Sequence, residues 1–214
     1  MQHHPPAKRH RCVRHEPVAA HLRDEPPEPG SEVDPLAVEL NRRTGIVGTA
    51  IKFDRIDASA AQPAILSMRT LNRAAAEAIQ ALPAGAVHAC TDITGFGLIG
   101  HASEMARASG VTVSIEAGRV PVFDGVLALA RGNKSGGMGS NRDHFASAVT
   151  VEPGVDADRE SLLYDPQTSG GLLIAASAAA AAGVELALGA AGVQVSRIGT
   201  VGPRQAHAVI EVRR

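Results

Sequence analysis

The chain has 214 residues, enough for one ordinary globular domain plus an extension. Its 44% hydrophobic content supplies a core, but aromatics are only 2% and Trp is absent, so that core must be built from Ala, Val, Leu and Ile. A net charge of −1 argues against nucleic acid or an anionic membrane as partner, no long apolar run suggests a transmembrane helix, and two separated cysteines, Cys12 and Cys90, fit a reducing cytoplasm better than a disulfide framework.

Residues 1–43 differ from the rest. They hold seven of the thirteen prolines and five of the nine histidines, with dense charge of both signs and little apolar period. Residues 1 to about 35 are expected to be disordered, and the start with His3, His4, His10 and His15 reads as a solvated tail or a metal-binding tract. From Thr44 the pattern changes. Gly45–Phe53 (GIVGTAIKF) is β-branched and apolar and predicts a strand. Pro63–Leu82 places Ile65, Met68, Leu71, Ala75, Ile79 and Leu82 at spacings of three and four, predicting one helix that Pro83 and Gly85 stop. A strand follows at Ala86–Cys90, and a helix at Leu98–Ala108 ends at Gly110. Val111–Ile115 alternates as a strand, Val122–Arg131 reads as helix, and Asn133–Asn141 as a Gly/Ser loop. Leu172–Ala176 predicts a strand, the Ala-rich Ser177–Leu188 a helix, and Val193–Ile198 and Ala206–Val212 two closing strands. Alternating strands and helices indicate an α/β (α+β) domain, a mixed sheet flanked by helices, over residues 44–214.

Chemistry concentrates in three segments. Thr91-Asp92-Ile93-Thr94-Gly95-Phe96-Gly97 lies between a strand and a helix. Its glycines let backbone approach a ligand, and the following helix start offers free N–H groups, which suits a metal-bound phosphate. Asp92 is then either a hard oxygen ligand for Mg²⁺ or a simple cap of the turn. Asp165-Pro166-Gln167-Thr168-Ser169-Gly170-Gly171 is a turn rich in small polar groups, an anion pocket or an ordinary polar loop. Asn133–Asn141 with Arg142 is a mobile surface loop or one from which Lys134 and Arg142 reach phosphates. His101 reads as a packed or capping residue and Cys90 as a small buried hydrophobe. Cys12, among Arg11, Arg14 and His15, has neighbours that favour its thiolate but no scaffold to position it.

Four strings give these segments a common origin. ACTDITGFGLIGH (Ala89–His101), LNRAAAEA (Leu71–Ala78), LLYDPQTSGGLLIA (Leu162–Ala175) and TGIVGTAIKF (Thr44–Phe53) resemble the C-terminal domain of selenophosphate synthetases, the selenide, water dikinases. The resemblance runs in order from about Thr44 to Val212. It implies an aminoimidazole ribotide synthetase C-terminal-domain-like fold and a family that converts ATP, selenide and water to selenophosphate, AMP and phosphate. It implies Mg²⁺ and ATP as ligands, Asp92 as metal ligand, and Thr91, Thr94, Gly95, Gly97, Asn141, Thr168, Ser169 and Gly170 as contacts to the nucleotide.

The same resemblance implies an N-terminal half that supplies the reactive Cys or selenocysteine and most metal carboxylates, and nothing before Thr44 resembles it. Where the family carries a Lys-Pro-Leu-Gly-like run, Glu39–Arg43 (ELNRR) stands here, and Cys12 lacks the family's glycine-rich context. No catalytic residue is therefore assigned. The chain is expected to be inactive alone and to work with a separate N-terminal domain or as a homodimer. The alternatives are a non-catalytic remnant or partner-binding domain of the same fold, or another ATP-using member of the superfamily.

Overall fold

A computed structural model describes residues 45–132 and 135–214. The 1–43 extension, Thr44, Cys12, the histidine-rich start, Asn133 and Lys134 lie outside the described residues.

The chain opens with three helices, α1 (Gly45–Lys52), α2 (Ala58–Arg69) and α3 (Arg73–Gln80). Strand β1 (Val87–Asp92) leads into α4 (Gly97–Ser109) and β2 (Val111–Glu116). Then come α5 (Val126–Ala130), α6 (Gly136–Phe145), β3 (Val149–Val151), α7 (Ala157–Leu163) and β4 (Leu172–Ala176). Helix α8 (Ala181–Ala190) and strands β5 (Gly199–Pro203) and β6 (Ile210–Arg213) finish the fold.

The α/β class holds, with the strands divided between two sheets. β1 and β4 form an antiparallel ribbon, with Asp92 opposite Leu172 and Cys90 opposite Ile174. The larger sheet has the order β3-β6-β2-β5; β2 pairs antiparallel with β5 and parallel with β6, and β3 pairs parallel with β6. Val113 and Ile115 of β2 and Ile210 and Val212 of β6 enter the main core with Leu98, Ile99, Ala102 and Ala106 of α4. α4 reaches both sheets, and its close approach to α6 is set by Gly100, where an added Cβ would lie 2.8 Å from the Phe145 ring. β4 divides its side chains between two cores. Leu173 joins the main one, while Leu172, Ile174 and Ala176 join a second cluster with Ala75, Ala181, Val184 and Leu188.

Several predicted elements are corrected. Gly45–Phe53 is a helix followed by a turn, because Ile46, Val47 and Ala50 form a helical stripe that is buried while Phe53 stays exposed. The Asp165 carboxylate, 119 residues away, accepts the Ile46 amide at 3.0 Å and so caps this helix. The helix expected over Pro63–Leu82 is two helices; Thr70 is extended (φ −81°, ψ 125°), and Leu71 is 78% exposed instead of facing the core. Asn133–Asn141 is not a loop over its second half: Ser135 caps α6 by accepting the Met138 amide, and Met138, Asn141 and Phe145 are buried along one face. The Val122–Arg131 helix narrows to α5, which starts after Gly125 at φ 79°. Val193–Ile198 is not a strand, although the Ile198 carbonyl accepts the Glu116 amide of β2 at 2.7 Å; β5 begins at Gly199, whose missing side chain lets it lie against the Ser114 carbonyl. The Ala-rich helix begins at Ala181, later than expected, after a turn in which Ser177 Oγ accepts the Ala180 amide. β6 is confined to Ile210–Arg213.

Candidate phosphate-binding site

β1 and β4 are antiparallel, so the end of β1 and the start of β4 coincide in space. This places Asp92 opposite Leu172 and Ile93 against Gly170 and Gly171, and joins the two glycine-rich segments at one end of the ribbon. The joint is made by backbone. The Ile93 amide donates to the Gly171 carbonyl at 2.8 Å, and the Gln167 amide to the Thr94 carbonyl at 2.9 Å. Gly170 packs directly under the Ile93 carbonyl, where any Cβ would collide. Gly97, at φ 70°, passes the Tyr164 backbone at a distance no larger residue permits.

Side chains complete the clamp. Asn141, 8% exposed, donates from Nδ2 to the Gly95 carbonyl and to the Tyr164 carbonyl, both at 2.9 Å. Asn72 donates to the Gly170 carbonyl at 2.9 Å. Asp165 is fully buried and accepts from the Ile46 amide, with Gln167 Nε2 at 3.4 Å from the same oxygen. Thr168 and Ser169 stand exposed at the tip, Ser169 at φ 53°. Thr91 is half-buried and Gly95 exposed, and a Cβ on Gly95 would meet nothing within 4 Å.

Asp92 is exposed at the end of β1. Among the described residues no group of three His, Cys, Asp or Glu side chains comes together to hold a metal. A lone carboxylate beside open glycine backbone fits one ligand to a cation shared with phosphates, and does not fit a site completed by the described residues alone. Arg142 is turned inward: it pairs with Glu160 at 3.0 Å, donates to Ser161 Oγ at 3.3 Å and stacks 5.0 Å from the Tyr164 ring centroid. His101 sits on the first turns of α4 with Nε2 3.0 Å from Thr94 Oγ1 and Nδ1 3.6 Å from Glu104 Oε2; burial pushes its pKa down. Asn72 was not singled out from sequence, and Asp165 and Gln167 entered only as members of a polar turn; the partners of Asn72 and Asp165 lie 98 and 119 residues away with no local pattern to signal them.

Cys90 is partly buried in the ribbon, as its apolar setting suggested. Burial, and then the nearby Asp92 charge, push its thiol up to about 11. At pH 8 its thiolate is therefore about a thousandth of the population. Alkylation of the folded chain followed by peptide mapping is expected to leave Cys90 unmodified under conditions that label the denatured chain completely. Rapid native labelling would show the ribbon to be open.

Residues 38–211 match the family model described as AIR synthase related protein, C-terminal domain. A selenide, water dikinase of Geobacter metallireducens is 44% identical over 168 residues, covering 78% of this chain and 48% of that protein. One from Trichlorobacter lovleyi is 42% identical over 164 residues, 75% of this chain and 45% of that protein. The chain thus spans about half the length of the curated relatives it matches. Among solved structures, a protein from Thermus thermophilus gives a TM-score of 0.57 at 20% identity, covering 90% of this chain and 51% of that one. Thiamine-monophosphate kinase from Stenotrophomonas maltophilia gives 0.53 at 16% identity, over 85% and 51%. The hydrogenase maturation protein HypE in complex with ATP gives 0.51 at 19%, over 85% and 48%. At these identities the likeness is one of fold.

Proposed function

Because the chain belongs to the AIR synthase related family, whose C-terminal domain its residues 38–211 match, we propose that it is the C-terminal part of a selenide, water dikinase. In that reading it contributes to converting ATP, selenide and water into selenophosphate, AMP and phosphate. The observation that carries the reading is that ACTDITGFGLIGH and LLYDPQTSGGLLIA, 73 residues apart at Ala89 and Leu162, meet at one end of the β1–β4 ribbon.

The residues of this chain would act by placement. Asp92 offers one hard oxygen to Mg²⁺, which when bound neutralises charge on phosphate oxygens. Thr91, Thr94, Gly95 and Gly97 would form one wall of the phosphate pocket, with the Gly97 amide held within the turn by the Thr94 carbonyl at 3.0 Å. Thr168, Ser169 and Gly170 form the opposite wall, and Asn141 ties the first of these to Tyr164. Residues 1–43 are proposed to lie outside the domain that begins at residue 44, and the cytoplasm is the proposed location. A homodimer, or a separate polypeptide carrying the family's N-terminal half, completes the site.

The chain alone is expected to yield no selenophosphate, and no selenide-dependent AMP, when ATP turnover is followed by ³¹P NMR. Adding a polypeptide that spans the other half of a related enzyme is expected to restore both products. Turnover by the isolated chain would overturn the assignment of the missing carboxylates to that half. The second reading is a non-catalytic partner-binding domain of the same fold. A stable complex with the added half that still makes no product would select it.

A further inference from the structure

A hydroxyl bonded to a neutral imidazole donates or accepts according to which ring nitrogen holds the single proton. The Thr94 Oγ1 to His101 Nε2 contact of 3.0 Å is of this kind. The His101 side chain is only 11% exposed, its ring lies 5.7 Å from that of Phe96, and burial favours its neutral form. Its other nitrogen, Nδ1, faces the Glu104 carboxylate at 3.6 Å. A carboxylate has lone pairs and no proton to give, so a bare Nδ1 would be repelled and a protonated Nδ1 attracted. The proton belongs on Nδ1, which leaves Nε2 as an acceptor.

We infer that His101 is a positioning residue that takes the Thr94 hydroxyl proton in a hydrogen bond, so that Thr94 turns only lone pairs towards a ligand beside Asp92. Thr94 then recognises a metal-bound water or an N–H group and rejects a bare phosphate oxygen. Donors for phosphate come from the glycine backbone instead. Glu104, on the solvent side of α4, sets the polarity of a hydroxyl on the ligand side through the ring between them. The ligand half of this inference rests on the proposed function; the proton arrangement does not.

Two measurements test it. In the full chain labelled with ¹⁵N-histidine, a two-bond ¹H–¹⁵N correlation spectrum reads each ring's tautomer. The His101 signals are assigned by their loss in His101→Asn or, if that variant does not fold, by through-space contacts to Phe96. The expected pattern is a protonated Nδ1 and a bare Nε2, shifting towards the other tautomer in Glu104→Ala. A protonated Nε2 in the wild-type chain, or no shift in Glu104→Ala, would overturn the inference. Secondly, the chain combined with the complementing half is titrated with ATP, with and without Mg²⁺. Thr94→Val is expected to weaken the Mg²⁺ complex about tenfold and metal-free ATP by no more than about twofold, with Thr94→Ser restoring both. Equal losses for the two forms would count against it. If the wild-type assembly binds no nucleotide, the proposed function falls, and the ring tautomer still decides the direction of the Thr94 bond.

Discussion

Asp92→Asn is expected to reduce Mg²⁺-dependent turnover by about a hundredfold or more in the completed enzyme while leaving the domain folded. The asymmetry follows from position. Asp92 ends β1 at an exposed point of the ribbon, where its carboxylate is open to solvent and is expected to contribute little to folding. Loss of such a group costs no more than about 1 kcal/mol, the size of a lost cap or a surface change. Asparagine keeps the shape and one carbonyl oxygen but removes the charge that a hard cation needs. Thermal unfolding of the variant should overlay that of the wild type, and steady-state rates at saturating Mg²⁺ should not recover. An Asn variant with full turnover would remove Asp92 from metal binding and leave it a turn residue.

Asp165→Ala is expected to do the opposite and destabilise the fold without touching a ligand. Its carboxylate is fully buried and caps α1 from the far side of the sequence, against the amide of Ile46. Gly45 is packed so closely on it that a Cβ there would lie 2.5 Å from its Oδ1. Removal strands a buried helix N-terminus and leaves a void, together about 3 kcal/mol. For a chain of this length that lowers Tm by about 10 °C. Asp165→Asn, which keeps an acceptor for the Ile46 amide, should lose clearly less. If Asp165→Ala unfolds at the wild-type denaturant midpoint, the cap contributes nothing.

The sequence showed most clearly the elements whose pattern and termination agreed. α4 was legible because a helical stripe ends at Gly110, which adopts φ 64°, and β2 because alternation starts directly after it. β1 and β4 were short apolar runs bounded by glycine-rich turns. α1 failed because Ile46, Val47 and Ile51 have strand-like composition, while burial follows residues 46, 47 and 50; the cap that decides the matter comes from Asp165. The break between α2 and α3 was hidden because apolar spacing continues through Leu71, although Thr70 and Asn72 offer local alternatives to the helix. The site was legible as two segments. Their union was not, since it rests on backbone hydrogen bonds and on contacts of Asn72 and Asn141 that leave no periodic trace.

The division of β4 between two cores gives the domain two levels of resistance to opening. The smaller cluster, Ala75, Leu172, Ile174, Ala176, Ala181, Val184 and Leu188, holds short aliphatic side chains and no aromatic ring. Amides of α3, α8 and the outer parts of the ribbon should therefore exchange with solvent as one unit, well before those of β2 and β6. The two glycine-rich segments lie on the seam between that unit and the rest. A ligand spanning them would raise the cost of separating the halves, so its binding should be recorded as slowed deuterium uptake at α3 and α8, on elements it never touches.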